Sequence, residues 1–201
     1  MTKSDITKIF RNPPILDTER LILRKIVKSD YPDMYEYSKR AEVTKYLLWS
    51  PHRDEEYTRR YVSYLQTRYL MGSFYDWGLE LKSNGRMIGT CGFTSFNFES
   101  NSAEIGYVLN NEYWDQGLAT EAVARVIRFG FRRLGLNRIE ARYMTGNEKS
   151  RKVMEKNGMT FEGIARESMF VKGKYVSIGV CSILREEFDK IANQGRLPVK
   201  T

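Results

Sequence analysis

Leu109-Asn-Asn-Glu-Tyr-Trp-Asp-Gln-Gly-Leu-Ala-Thr-Glu-Ala122 joins a strand-like run to the most regular helical pattern in the chain, and its reading decides the fold. Before it, Ser102-Ala-Glu-Ile-Gly-Tyr-Val-Leu109 reads as a strand. After it, apolar or small residues recur at Ala119, Ala122, Val123, Val126, Ile127, Gly130, Phe131 and Leu134, a period near 3.6. Glu121, Arg125, Arg128, Arg132 and Arg133 fall on the other face. A helix over 118–134 therefore lays one side on a sheet. Gly117 and Ala119 leave the backbone uncovered where that helix starts, so its first N–H groups, which lack intrahelical partners, can face an anion. The helix end adds roughly half a positive charge. No Lys-Ser or Lys-Thr follows the glycine, against a P-loop, and no G-x-G-x-x-G occurs, against a dinucleotide fold. Read alone, the same small residues serve close packing of helix on strand equally well.

Working outward, Arg20-Leu-Ile-Leu-Arg-Lys-Ile-Val27 has strand length, and Lys28-Ser-Asp-Tyr-Pro32 offers Ser29 or Asp30 as a helix cap. Helical segments are expected near 31–40 and 54–71, and strands over 75–82, 87–94 and 102–109. Asn84-Gly85 signals a hairpin, with a type I′ turn requiring positive φ at both residues. Beyond Gly135 come a strand at 138–143, a helix from Asn147 to Asn157 stopped by Gly158, and strands at 160–171 and 174–186. The order predicts an α/β fold. Its sheet is mixed, with antiparallel hairpins passing into a parallel segment after the 109–118 connection, and ligands in such sheets bind at strand carboxyl ends. Residues 1–17 end in Asn12-Pro-Pro14 and read as an extended arm. The expected organisation is an arm over 1–17, a domain over 18–188 and a tail over 189–201.

The chain has 201 residues, 33 Lys+Arg against 25 Asp+Glu for a net charge of +8, and is 41% apolar and 29% charged, a globular composition. No apolar run approaches the roughly 20 residues of a membrane helix, and the amino end lacks a signal's apolar core, so no membrane and a cytoplasmic location are expected. Basic residues alternate with acids, as in Arg138-Ile-Glu-Ala-Arg142, so nucleic acid is not an expected partner. Cys91 and Cys181 sit in apolar strand-like runs and read as buried free thiols. The only histidine, His52, lies in the polar stretch Trp49-Ser-Pro-His-Arg-Asp-Glu-Glu56 and reads as a solvated loop residue; no metal site is expected.

Taken together, strand Ala103–Leu109, loop Trp114-Asp-Gln-Gly-Leu-Ala119, Asn147-Glu-Lys-Ser150 and Val153-Met-Glu-Lys-Asn-Gly158 resemble the GCN5-related N-acetyltransferase superfamily, and most nearly its ribosomal-protein N-terminal acetyltransferase branch. The phrase Thr18-Glu-Arg-Leu-Ile-Leu-Arg24 matches the family's opening, and the resemblance spans about residues 18–188. It implies a mostly antiparallel, seven-stranded sheet with a parallel segment, flanked by about four helices. It further implies acetyl-coenzyme A as donor without a metal, its pyrophosphate on the 114–119 loop. Coenzyme contacts would come from Val108, Leu109, Trp114, Gln116, Gly117, Leu118, Ala119, Thr120, Asn147 and Ser150, with the pantetheine beside the strand holding Glu104.

Two positions depart from the pattern. Trp114 stands where the superfamily's loop begins with Gln or Arg. Met154 stands where many relatives carry the tyrosine that protonates the leaving thiolate, which excludes tyrosine chemistry from that helix position; in the ribosomal branch a serine does this, and Ser150 matches it. Glu104 is then the candidate base, acting directly or through water, or else a solvent-face residue paired with an arginine. Asn147 is the natural cap of its helix, and Ser150 either protects that cap or reaches the sulfur. Carbonyl polarisation would come from a backbone N–H near Val108 or Leu109, where strands would splay. Tyr46 and Trp49, with Tyr57, lie in the linker where the superfamily builds its acceptor groove, and Met169, Phe170 and Tyr175 offer an opposite wall; core packing would use the same residues. The expected function is direct acetyl transfer to a protein N-terminal α-amine. A small amine (polyamine, amino acid or antibiotic) or a non-catalytic coenzyme A module are the alternatives. Relatives often pair as homodimers, but no self-complementary apolar stripe is visible here.

Overall fold

Residues 2–194 are described by the structure, a computed structural model. Eight strands form one sheet in the order β1-β2-β3-β4-β5-β6-β8-β7. They are β1 (Leu16–Asp17), β2 (Leu21–Arg24), β3 (Tyr75–Leu81), β4 (Met87–Asn97), β5 (Ser102–Leu109), β6 (Arg138–Met144), β7 (Thr160–Val171) and β8 (Lys174–Leu184). Seven α-helices accompany them among the described residues: α1 (Lys3–Arg11), α2 (Tyr31–Ser38), α3 (Ala41–Thr44), α4 (Glu55–Leu70), α5 (Leu118–Arg132), α6 (Glu148–Lys156) and α7 (Arg185–Asn193). Among the described residues only β5 and β6 pair in parallel, after the connection through α5, as the mixed α/β reading requires. The eighth strand is the two-residue β1, and the helices beyond the expected four include α1, the single-turn α3 and α7.

The period of two along each strand separates two faces. Trp77, Leu79, Cys91, Phe93, Ala103 and Ile105 share one, where α5 lays down Ala122, Val123, Val126 and Ile127. On the opposite face lie Asp76, Gly92, Glu104, Gly106 and Val108, and there α2 and α4 contribute Met34, Tyr37, Val62, Leu65 and Tyr69. The chain thus has an α5/α6 side and an α2/α4 side, and any residue of β5 belongs to one or the other by parity.

The extended arm is corrected. Residues 3–11 are helical, opened by a capping box in which the Thr2 hydroxyl accepts from the Asp5 amide at 3.2 Å and the Thr2 amide donates to Asp5 at 2.9 Å. Ile6 and Phe10, four residues apart, are fully buried, Phe10 edge-on to Tyr75 and Trp77 at 5.1 and 5.2 Å. The Trp77 indole donates to Pro14 O at 2.8 Å, tying the following segment to the sheet. The 83–86 connection is a hairpin, but not type I′: Gly85 alone has positive φ, +69°, with its N–H on Leu81 O at 2.8 Å. Leu81 closes the loop on Arg86 O at 2.9 Å, so four residues make the turn and a single left-handed position suffices. At the other end, α7 continues through Asn193 with Phe188 buried, so the expected tail begins as helix; residues 195–201 lie outside the described residues.

Candidate active site

β5 and β6 pair only from Ser102↔Arg138 to Ile105↔Ala141, although β5 runs on to Leu109 and β6 to Met144. Beyond Ile105 the strands diverge, leaving one edge of Gly106–Leu109 without a ladder partner. This is the splay that sequence alone could not establish. A cavity of about 580 Å³ opens there. Tyr107, Val108 and Leu109 form one wall, the 114–120 turn the floor, and Asn147, Ser150 and Tyr46 the other side. The Trp114 indole donates to Leu109 O at 2.8 Å, so the residue that departs from the loop pattern anchors the turn to the strand end.

The start of α5 is bare. Gly117 sits at φ +78°, ψ 0°, in the left-handed region, and no side chain caps the helix. Its first bond runs from the Glu121 N–H to Gly117 O at 3.0 Å. Among the described residues, nothing accepts from the amides of Leu118, Ala119 and Thr120. The turn is nevertheless fixed from behind. Buried Glu121 accepts from Thr18 Oγ1 at 2.7 Å, the Arg20 amide at 2.8 Å and Arg20 Nε at 2.7 Å, and Arg20 Nη1 donates to Gln116 O at 2.8 Å. Burial alone would raise the Glu121 carboxyl, but these bonds overcome it and hold the group below the usual range. Rigidly held, unsatisfied donors at a helix N-terminus, with Lys149, Lys152 and Lys156 along the rim, suit a bound pyrophosphate. Lys149 itself pairs with Asp115 at 2.7 Å and lies 4.9 Å from the Trp114 ring centroid.

On α6, Asn147 Oδ1 accepts the Ser150 amide at 3.3 Å, a side-chain cap. Ser150 meets a partner that the sequence reading missed: the Tyr107 hydroxyl lies 2.9 Å from both Ser150 Oγ and Ser150 O. Burial, partly opposed by the Ser150 bond, pushes this phenol far above its ordinary value, so it remains a donor at any neutral pH. Strand parity would have placed Tyr107 on the α5/α6 side, but only the fold brings α6 over it.

Glu104, three residues before Tyr107, projects to the opposite side of β5. It is half-buried, and burial raises its carboxyl above the usual range; Arg142, with Nε 3.5 Å from Oε2, works against that rise. The arginine pair expected of a solvent-face Glu104 is therefore present, but on a half-buried carboxyl. Glu104, in the part of β5 still paired with β6, and the Tyr107–Ser150 hydroxyl pair thus lie on the two sides of one strand.

Of the sequence-derived candidates, Tyr46, Val108, Leu109, Trp114, Gly117, Leu118, Ala119, Thr120, Asn147 and Ser150 line this cavity, and Glu104 does not. Gln116 does not: its carbonyl is taken by Arg20 and its side-chain amide donates to Glu112 O at 3.2 Å. Trp49 also lies apart, its ring 5.2 Å from that of His52. His52 is not a solvated loop residue. It is 8% exposed, enclosed by Trp49, Tyr57 and Tyr61, with Nδ1 2.8 Å from Thr58 Oγ1, because the apparently polar stretch folds over α4. On the far wall, Lys172 Nζ donates to Thr44 O at 2.6 Å, linking the β7–β8 turn to α3, while Phe170 and Tyr175 pair edge-on at 5.0 Å on the exposed surface. Cys91 and Cys181 are buried and free. Among the described residues, no cluster of His, Cys, Asp or Glu could hold a metal ion, and no helix is long and apolar enough to cross a membrane.

Residues 20–160 match the family model described as an acetyltransferase (GNAT) domain. An uncharacterized N-acetyltransferase p20 of Bacillus licheniformis is 35% identical over 173 residues, covering 86% of this chain and 97% of that protein. The [ribosomal protein uS5]-alanine N-acetyltransferase of Escherichia coli is 29% identical over 169 residues, covering 80% and 85%. Among solved structures, RimL, a ribosomal L7/L12 alpha-N-protein acetyltransferase in complex with coenzyme A, superimposes with a TM-score of 0.73 at 21% identity, over 87% of this chain and 99% of that one.

Proposed function

This chain belongs to the GNAT family of acetyltransferases, and from that membership we propose that it acetylates a protein N-terminal α-amine, as its ribosomal relatives do. The donor is acetyl-coenzyme A. The observation that carries the site assignment is the uncapped start of α5 beside the strand edge opened at Gly106–Leu109. In this reading the amides of Leu118, Ala119 and Thr120 take the pyrophosphate. An N–H of the unpaired β5 edge near Val108 or Leu109 polarises the thioester carbonyl. Transfer is direct: the amine attacks the carbonyl carbon, the C–S bond breaks, and the departing sulfur takes a proton from Ser150 Oγ, which Tyr107 holds in place and which regains a proton from water. Glu104, across the strand, receives a proton lost by the nitrogen. No cysteine is required.

The α-amine is favoured by the weakness of this base. At pH 7 an α-amine with a pKa of about 7.8 is roughly 14% neutral and costs about 1.2 kcal/mol to deprotonate, whereas a lysine at about 10.4 costs about 4.6 kcal/mol. Action on a ribosomal protein would place the enzyme in the cytoplasm. Purified protein with acetyl-coenzyme A should release thiol when offered peptides with free Ser or Ala amino ends, and none with the same peptides blocked. Equal turnover of blocked peptides that carry a lysine would refute the α-amine assignment.

A further inference from the structure

Asp76 on β3 is a carboxylate of the sheet to which the mechanism above gives no role. No described residue donates to either of its oxygens, and its Oδ1 is closed off from solvent, although the residue as a whole keeps partial exposure. It lies opposite Gly92 of β4, which lies opposite Gly106 of β5, so the three share the α2/α4 side with Glu104. A Cβ at Gly92 would strike Asp76 Oδ1, so the carboxylate leans across β4 toward β5. A Cβ at Gly106 would strike Thr94 Cγ2, at 2.7 Å, so one methyl group lies over that glycine beside the point where β5 loses its partner strand. From Asp76 to the gap the row thus runs over two glycines, with the Thr94 methyl as the side-chain group against Gly106.

We propose that Asp76 is the acceptor-binding carboxylate: it receives the acceptor's ammonium group on the α2/α4 side and takes the first of the two protons that nitrogen must lose. This rests on the acetyltransfer reading and adds the residue that selects a cationic acceptor. In the step, an N–H bond breaks, its electron pair stays on nitrogen, and an O–H bond forms on Asp76; the proton then leaves to water. The neutral amine moves over Gly92 and Gly106 to the thioester, and after attack Glu104 takes the second proton. Two carboxylates are thereby matched to two protons.

The surroundings suit that task. Tyr37 from α2 and Tyr61 and Tyr69 from α4 lie on this side with Asp76, and burial keeps these phenols neutral near pH 7, whereas Cys91 of β4 points to the opposite face. Nearby charges are engaged elsewhere: Asp30 by Arg24, Lys25 over the Tyr69 ring, and Arg68 with Ser73 and Tyr64. A buried carboxylate without a donor is costly unless a proton or a cation neutralises it. Burial pushes the Asp76 carboxyl up to about 7, close to an α-ammonium at about 7.8, so the proton can pass either way.

The test compares Asp76→Asn with the parent enzyme on a free-amino peptide. We expect kcat/KM to fall about tenfold or more, mostly through a higher acceptor KM, with acetyl-coenzyme A affinity unchanged and the melting temperature equal or higher. A merely structural Asp76 would give that melting temperature with kcat/KM within about twofold of the parent, which overturns the proposal. Should peptides fail and a polyamine be acetylated, the α-amine reading falls and the same comparison is made with the polyamine. Should no amine be acetylated, or the variant not fold, the parent protein with 13C-labelled aspartate is titrated with ethylammonium chloride; a saturable shift of the Asp76 carboxyl resonance supports the site, and none refutes it.

Discussion

Replacing Tyr107 with Phe removes one oxygen and nothing else, and the structure sets the size of the effect. The hydroxyl touches only Ser150, at Oγ and at the backbone carbonyl, both at 2.9 Å. Its loss removes one hydrogen bond, about 1 kcal/mol net. It also frees Ser150 χ1 among three staggered wells, of which one keeps Oγ toward the gap, adding at most about 0.65 kcal/mol. If Ser150 must be held to protonate the sulfur, the sum of about 1.7 kcal/mol appears in kcat as roughly a twentyfold loss. The melting temperature should fall by about 2–4 °C, as expected of about 1 kcal/mol in a chain of this size. Acetyl-coenzyme A affinity should hold, because the phenol faces α6 and not the bare amides of α5. The assay is thiol release at saturating peptide, with calorimetry for the coenzyme. Ser150→Ala should lose at least as much, and the double variant no more than Ser150→Ala alone, since both changes remove one unit. A Tyr107→Phe enzyme within about twofold of the parent in kcat, or a loss wholly explained by coenzyme affinity, would refute the positioning role.

Three further outcomes can be checked. Gly117→Val forces a β-branched residue to φ +78°, and should weaken coenzyme affinity about tenfold in calorimetry by moving the first amides of α5. Glu121→Gln should lower stability by about 1–3 kcal/mol in urea titrations, the Arg20 pair being discounted because that side chain is 44% exposed. Because the Glu121 carboxyl sits lower folded than unfolded, its contribution is present above the ordinary carboxylate range and is lost as pH falls through the folded value, so parent and variant should converge in acid. Arg142→Ala removes the cation that opposes the burial-driven rise of Glu104, and should move the acid limb of kcat/KM to higher pH; an unmoved limb would exclude Glu104 as the group behind it.

Much of the fold could be read from local pattern. The order of the strands and longer helices from Leu21 to Leu184 follows from alternation and the 3.6 period, and the bare start of α5 was one of two readings of Gly117 and Ala119. What failed locally did so for tertiary reasons. The helix α1 carries a capping box readable at Thr2 and Asp5, yet its identity as part of the core rests on Phe10 finding Tyr75 and Trp77, more than sixty positions away. His52 sits among charged neighbours in sequence, and only the path of the linker over α4 encloses it.

By itself the sequence determined the family, the glycine turn before α5 and the residue types available for chemistry, because these depend on short-range backbone needs: a glycine at positive φ, free amides at a helix start, a cap at Asn147. Tertiary structure alone decided which of those residues meet. The divergence of β5 from β6, the grip of Tyr107 on Ser150, and the row that sets Asp76, Gly92 and Gly106 side by side all join residues distant along the chain. Parity along a strand fixes the side on which a residue points, but the partner waiting on that side is set by which helix the chain folds across it.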